Sequence, residues 1–119
     1  MPTTTDLPPR PITITRRTFG YAVNPGVLRV DLSLREGEAF TFRNRSPLAA
    51  RITFPANAVL DENGKPVTAP LIVEPGSRSD RTLKVNVAYG ADWFEYIVFM
   101  LQAEIEASAA SRPGIEIVR

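Results

Sequence analysis

A chain of 119 residues, 44% apolar and 23% charged, fits one ordinary globular domain with enough length to bury a core. Its net charge of +1 sets up no overall field for nucleic acid or an anionic membrane. Cysteine and histidine are both absent, which removes disulfides, cysteine and serine–histidine nucleophiles, histidine general-base chemistry, and the usual zinc and copper sites.

Residues 1–11, with Pro8, Pro9 and Pro11, read as a flexible or polyproline-like leader, and residues 12–119 as a single domain. Ile12 and Ile14 alternate with Thr13 and Thr15, the pattern of a strand of β-branched residues. The run continues with Phe19, Tyr21 and Val23 on one side until Asn24-Pro25-Gly26 breaks it. The clearest period of two follows. Leu28, Val30, Leu32 and Leu34 alternate with Arg29, Asp31 and Ser33; Phe40 and Phe42 alternate with Thr41 and Arg43 after a Glu36-Gly37 turn. Beyond Asn44-Arg45-Ser46-Pro47, Leu48, Ala50, Ile52 and Phe54 alternate with Arg51 and Thr53.

Residues 56–70 read as loop. Within it, Asp61-Glu62-Asn63-Gly64-Lys65 is a reverse-turn signal that lacks the ligand pattern of a calcium loop. Leu71 and Val73 lead to Glu74-Pro75-Gly76, a type II turn signature, and Leu83, Val85 and Val87 form a further strand. After a loop at Tyr89-Gly90-Ala91-Asp92, residues 93–101 are apolar on both alternating faces beyond Glu95, as in a strand buried on both sides. Residues 102–111 read as strand passing into loop from their alternation, with a helix as the alternative that their Ala and Glu favour. Arg112-Pro113-Gly114 reads as a turn and Ile115 to Val118 as a closing strand. About eight short strands separated by frequent turns indicate an all-β, antiparallel Greek-key β-sandwich, cupredoxin-like or immunoglobulin-like. No run of about eighteen apolar residues offers a membrane span, and the N-terminus lacks the charged-then-apolar pattern of a secretory signal.

Three constellations are candidates for chemistry. Glu36/Glu38 and Glu104/Glu106 stand at i and i+2, the spacing of carboxylates on one strand face, yet at positions expected to face solvent. Twelve of the fourteen basic residues are arginine, and Arg43, Arg45 and Arg51 flank the turn at residues 44–47 with Arg78 and Arg81 further on. Such a group suits planar recognition of an anion, against the alternatives of a solvated basic face and a GC-rich coding bias. Tyr89, Trp93, Phe94 and Tyr96 concentrate the aromatics; Tyr89 and Trp93 at a loop tip would stack on a sugar or anchor an interface, unless they simply fill the core. Asn44-Arg45-Ser46 matches a glycosylation sequon, with Pro47 arguing against its use.

The order of the pieces resembles the cupredoxin family: Asn24-Pro25, a hydrophobic strand from Val30, the Glu36-Gly37 turn, then Phe40-Thr41-Phe42-Arg43-Asn44 for the family's V-x-F-x-N strand. Leu71 to Gly76, Phe94-Glu95-Tyr96, and Pro113 to Val118 continue the likeness, which covers residues 19–119. The family's copper site calls for a histidine where this chain has Pro47, Leu48, Ala49 and Ala50, and for a cysteine near Ile97, Val98 and Phe99. The resemblance therefore implies a metal-free member with no cofactor, placed in the periplasm or secreted if a signal has been removed. The expectation is a non-enzymatic module for binding another protein or for self-assembly. The alternative is a module binding carbohydrate or an anionic small molecule through Trp93 and Tyr89 or through Arg43, Arg45 and Arg51.

Overall fold

The computed structural model describes residues 9–32, 39–108 and 112–119. The first eight residues of the expected leader, the Glu36-Gly37 turn with the Glu36/Glu38 pair, and residues 109–111 lie outside the described residues. Strand β1 (Arg10–Arg17) starts two residues before the expected point and includes Pro11. It is followed by β2 (Gly20–Asn24), β3 (Val27–Asp31), β4 (Ala39–Asn44), β5 (Ala50–Thr53), β6 (Val59–Leu60) and β7 (Leu71–Val73). A short 3-10 turn at Ser77–Ser79 precedes β8 (Arg81–Val85), β9 (Trp93–Glu95), β10 (Ile97–Met100), β11 (Ile105–Ala107) and β12 (Gly114–Val118). The described residues are thus all-β, with twelve strands where the alternation suggests about eight. The difference arises because a turn separates β1 from β2, the run at 93–101 is divided between two sheets, and β6 forms within the segment 56–70 expected to be loop.

The strands form a five-stranded sheet in the order β2-β1-β4-β8-β6, a four-stranded sheet β11-β10-β5-β7, and a three-stranded sheet β3-β12-β9. The first two are stitched together where the Val23 amide donates to the Ser108 carbonyl at 3.1 Å and the Ser108 amide donates to Tyr21 at 3.2 Å. Most pairings are antiparallel, but β1 runs parallel to β4 and β12 parallel to β3, with Ile14 opposite Asn44 and Gly114 opposite Val27. Parallel neighbours need a crossover between them, so these two pairs tie distant parts of the chain together.

Alternation predicts the core well inside the strands and fails at their ends. Ile12, Ile14, Phe40, Phe42, Ala50, Ile52, Leu83 and Val85 are buried as the period of two requires. Phe19, expected beside Tyr21 and Val23, is instead 98% exposed. Thr18 and Phe19 form the tight turn between β1 and β2, where the pleat no longer dictates a face; Gly20 next to them holds φ of 102°, a backbone state that suits glycine. Residues 93–101 are a second correction. The run splits at Tyr96 into β9 and β10, which belong to different sheets. Phe94, Tyr96, Val98 and Met100 are buried, while Trp93 and Glu95 are exposed and Ile97 and Phe99 half-buried. One face is core; the other is not. Edge-to-face contacts join the layers, with Phe42 on β4 meeting Tyr96 at 5.4 Å and Phe54 meeting Phe94 at 6.4 Å, and within β4 Phe42 also meets Phe40 at 5.9 Å.

One buried polar residue fastens the loop after β4. The Asn44 side-chain amide donates to the carbonyls of Leu48 (2.7 Å) and Val73 (2.9 Å), and its Oδ1 accepts from the Ser46 amide (3.0 Å) and Ser46 hydroxyl (2.7 Å). Its own carbonyl accepts from the Gly76 amide at 3.1 Å. Every polar atom of this fully buried side chain has a partner, as its burial demands. Asn44 therefore belongs to the scaffold, and its sequon offers no accessible amide.

Candidate functional site

The arginines expected to gather do not form one site. Arg43 and Arg45 both reach Asp80, at 3.7 and 3.3 Å, so the nearest anion to them is internal. Arg51, on β5 in another sheet, lies with its guanidinium 5.0 Å from the centre of the Phe99 ring, a cation–π contact that covers part of that half-buried aromatic. Arg81 forms a two-pronged bridge to Glu62, with Nε at 2.6 Å and Nη2 at 3.0 Å. That hydrogen bond holds the Glu62 carboxyl below its ordinary range and raises Arg81. Glu106, one of the paired carboxylates, is held by Arg112 in the same manner, and its pKa is lowered by that contact. Each of these charges has a structural use or a solvated setting.

Tyr89 and Trp93 also part company. The Tyr89 ring packs edge-to-face on Phe94 at 5.6 Å, on the core side of β9. Its loop is clamped by Arg119, which donates to the carbonyls of Val87 (3.3 Å), Tyr89 and Ala91 (3.1 Å) and to Asp92 (3.1 Å). Trp93, one residue before Phe94, points to the opposite face of the strand and stays 42% exposed.

That outward face of the β3-β12-β9 sheet is the most distinctive surface among the described residues. Trp93, Glu116 and Arg29 lie in one cross-strand row, and Glu95, Gly114 and Val27 in the next. The indole reaches diagonally over Gly114: a Cβ there would collide with Cζ2 and Cη2 of the ring. Glycine at this point is what lets the ring lie against the sheet, with its outer side toward water and exposed Val27 on the far strand. Arg29 and Glu116 pair at 3.5 Å beside it. Gly114 was expected in a turn; it opens β12 and is buried. The clue lay in Gly114-Ile115-Glu116-Ile117, whose alternation already puts Gly114 and Glu116 on one face.

No family model matches the chain, and no curated protein matches it. A solved structure similar to it is the blue copper oxidase from Nitrosomonas europaea, at 12% identity and a TM-score of 0.37, covering 96% of this chain and 47% of that one. The chain thus spans about half the length of that oxidase chain. Among the described residues no group of three or more His, Cys, Asp or Glu side chains comes together. What the exposed sheet face offers is a flat aromatic plate, a small apolar neighbour, and carboxylate and guanidinium groups at its edge.

Proposed function

We propose that this chain is a non-enzymatic, metal-free β-sandwich of cupredoxin-like type that binds another protein, or a second copy of itself, through the outer face of β3-β12-β9. The observation that carries the reading is the seating of Trp93 across Gly114. A tryptophan held rigid by its own sheet loses little freedom on binding, and such residues dominate interface energetics. Covering the rest of the indole, on the order of 100 Å² of apolar surface, contributes about 2 kcal/mol. Light scattering over a wide concentration range, together with capture from the native host's lysate, tests it. Assembly or capture that is lost in Trp93→Ala supports the reading; a strict monomer that recovers no partner sinks it.

A second reading uses the same indole. Its flat outer side, bordered by Glu95, Glu116 and Arg29, also suits stacking on a sugar ring with polar groups reaching the hydroxyls. Glycan-array signal that disappears in Trp93→Ala favours this version, and a blank array removes it. The anion-binding version loses support, because Arg43 and Arg45 share Asp80 and Arg51 lies on Phe99.

A further inference from the structure

The small net charge conceals an uneven distribution. β1 runs parallel to β4, with Ile14 opposite Asn44, so Arg16 and Arg17 stand at the end of the sandwich that carries the loop after β4. Arg17 lies three residues past Ile14, a rise of roughly 10 Å. Arg45 is on that loop, and exposed Arg78 is on the 3-10 turn that packs against β4. Arg16 and Arg17 are exposed and have no ion-pair partner among the described residues. The acids at this end are Asp80, already between Arg43 and Arg45, Glu74 after β7, and Glu104 and Glu106 on either side of Ile105, with Glu106 bridged by Arg112. Cations are therefore in excess here.

Phe19 stands at the apex of the same end, with 98% of its surface in water. Ile105 on β11, 43% exposed, lies against Gly20, with Cδ1 4.0 Å from where a Cβ on that glycine would be. An apolar tip with basic residues just behind it is thus built from two neighbouring strand ends. The tip is convex: Phe19 has almost no wall beside it. A rigid protein surface would need a matching pocket to bury it, whereas the boundary between lipid headgroups and acyl chains conforms to it.

We propose that this end docks reversibly on an anionic bilayer, with Phe19 and Ile105 entering the headgroup layer and Arg16, Arg17 and Arg78 meeting lipid phosphates. The inference is independent of the Trp93 face, which belongs to another sheet. The test is sedimentation of the full chain with vesicles of phosphatidylcholine, with and without about 30% phosphatidylserine. Binding to the anionic vesicles alone is expected, and it should weaken strongly between about 0.1 M and 0.5 M salt. Phe19→Ala should weaken it roughly tenfold, and Arg16→Gln with Arg17→Gln on the order of twentyfold. All three side chains are exposed, so circular dichroism should show an unchanged fold. Absence of binding to anionic vesicles overturns the proposal. So does binding that ignores Phe19→Ala, which would mark a purely electrostatic surface suited to an acidic protein, and so does binding that ignores the arginine changes.

Discussion

The Trp93 indole lies so closely over Gly114 that any side chain at position 114 must displace it; a Cβ there would also come within 2.9 Å of the Phe94 carbonyl oxygen. Gly114→Ala should therefore lift the ring and strain the β9–β12 pairing. The expected cost is about 1–3 kcal/mol, the usual range for overpacking. Urea unfolding measures the loss, and tryptophan emission should shift to longer wavelength as the indole meets water. An unchanged spectrum would contradict the packing described.

Asn44 offers a sharper stability test. Asn44→Ala removes the donor to the Val73 carbonyl and the acceptor of the Ser46 amide, at or near a buried position, while the Leu48 carbonyl keeps the Ser46 hydroxyl as a donor. Each orphaned buried group costs about 1–3 kcal/mol, so a loss of at least about 2 kcal/mol is expected. The midpoint of denaturation should move with little change in slope.

Tyr96 presents the opposite case, since its buried hydroxyl has no hydrogen-bond partner among the described residues. Tyr96→Phe should leave stability at pH 7 unchanged or raise it by about 1 kcal/mol. Burial pushes the phenol's pKa above its ordinary value. A raised folded-state pKa means that the unfolded chain ionises first, so stability falls as pH rises above about 10. Thermal melting of both proteins across that window should show the natural chain losing more than Tyr96→Phe.

The Glu62 carboxyl is held below its usual range by Arg81. A lowered folded-state pKa stabilises the protein above the ordinary carboxylate value, and that contribution disappears as pH falls through the folded value. Both side chains are more than a third exposed, so Glu62→Gln should cost only about 0.5 kcal/mol at pH 7. The two proteins should converge in stability as pH falls below the lowered folded-state value of Glu62.

The turn at Asp61 shows how much can be read locally. Asp61 Oδ1 accepts from the amides of Asn63 at 2.8 Å and Lys65 at 3.0 Å, and Gly64 takes φ of 76°, as its residue types predict. The β-branched and aromatic alternation likewise marks Ile12, Ile14, Phe40, Phe42 and Ile52 as core before any partner strand is known. These features depend on neighbours a few residues apart. The split of residues 93–101 at Tyr96 does not, because each half follows a different partner: β12 for Trp93 to Glu95, β5 and β11 for Ile97 to Met100. The arginines follow the same rule. Spacing puts Arg43, Arg45 and Arg51 near one turn, but only the sheet pairing decides that two of them meet Asp80 and the third meets Phe99. The sequence by itself determined an all-β chain with a defined core and no cysteine or histidine chemistry, since composition and a period of two are local properties. Tertiary structure alone decided which faces remain open, because Gly114 meets Trp93, and Gly20 meets Ile105, only through contacts between strands far apart in the chain.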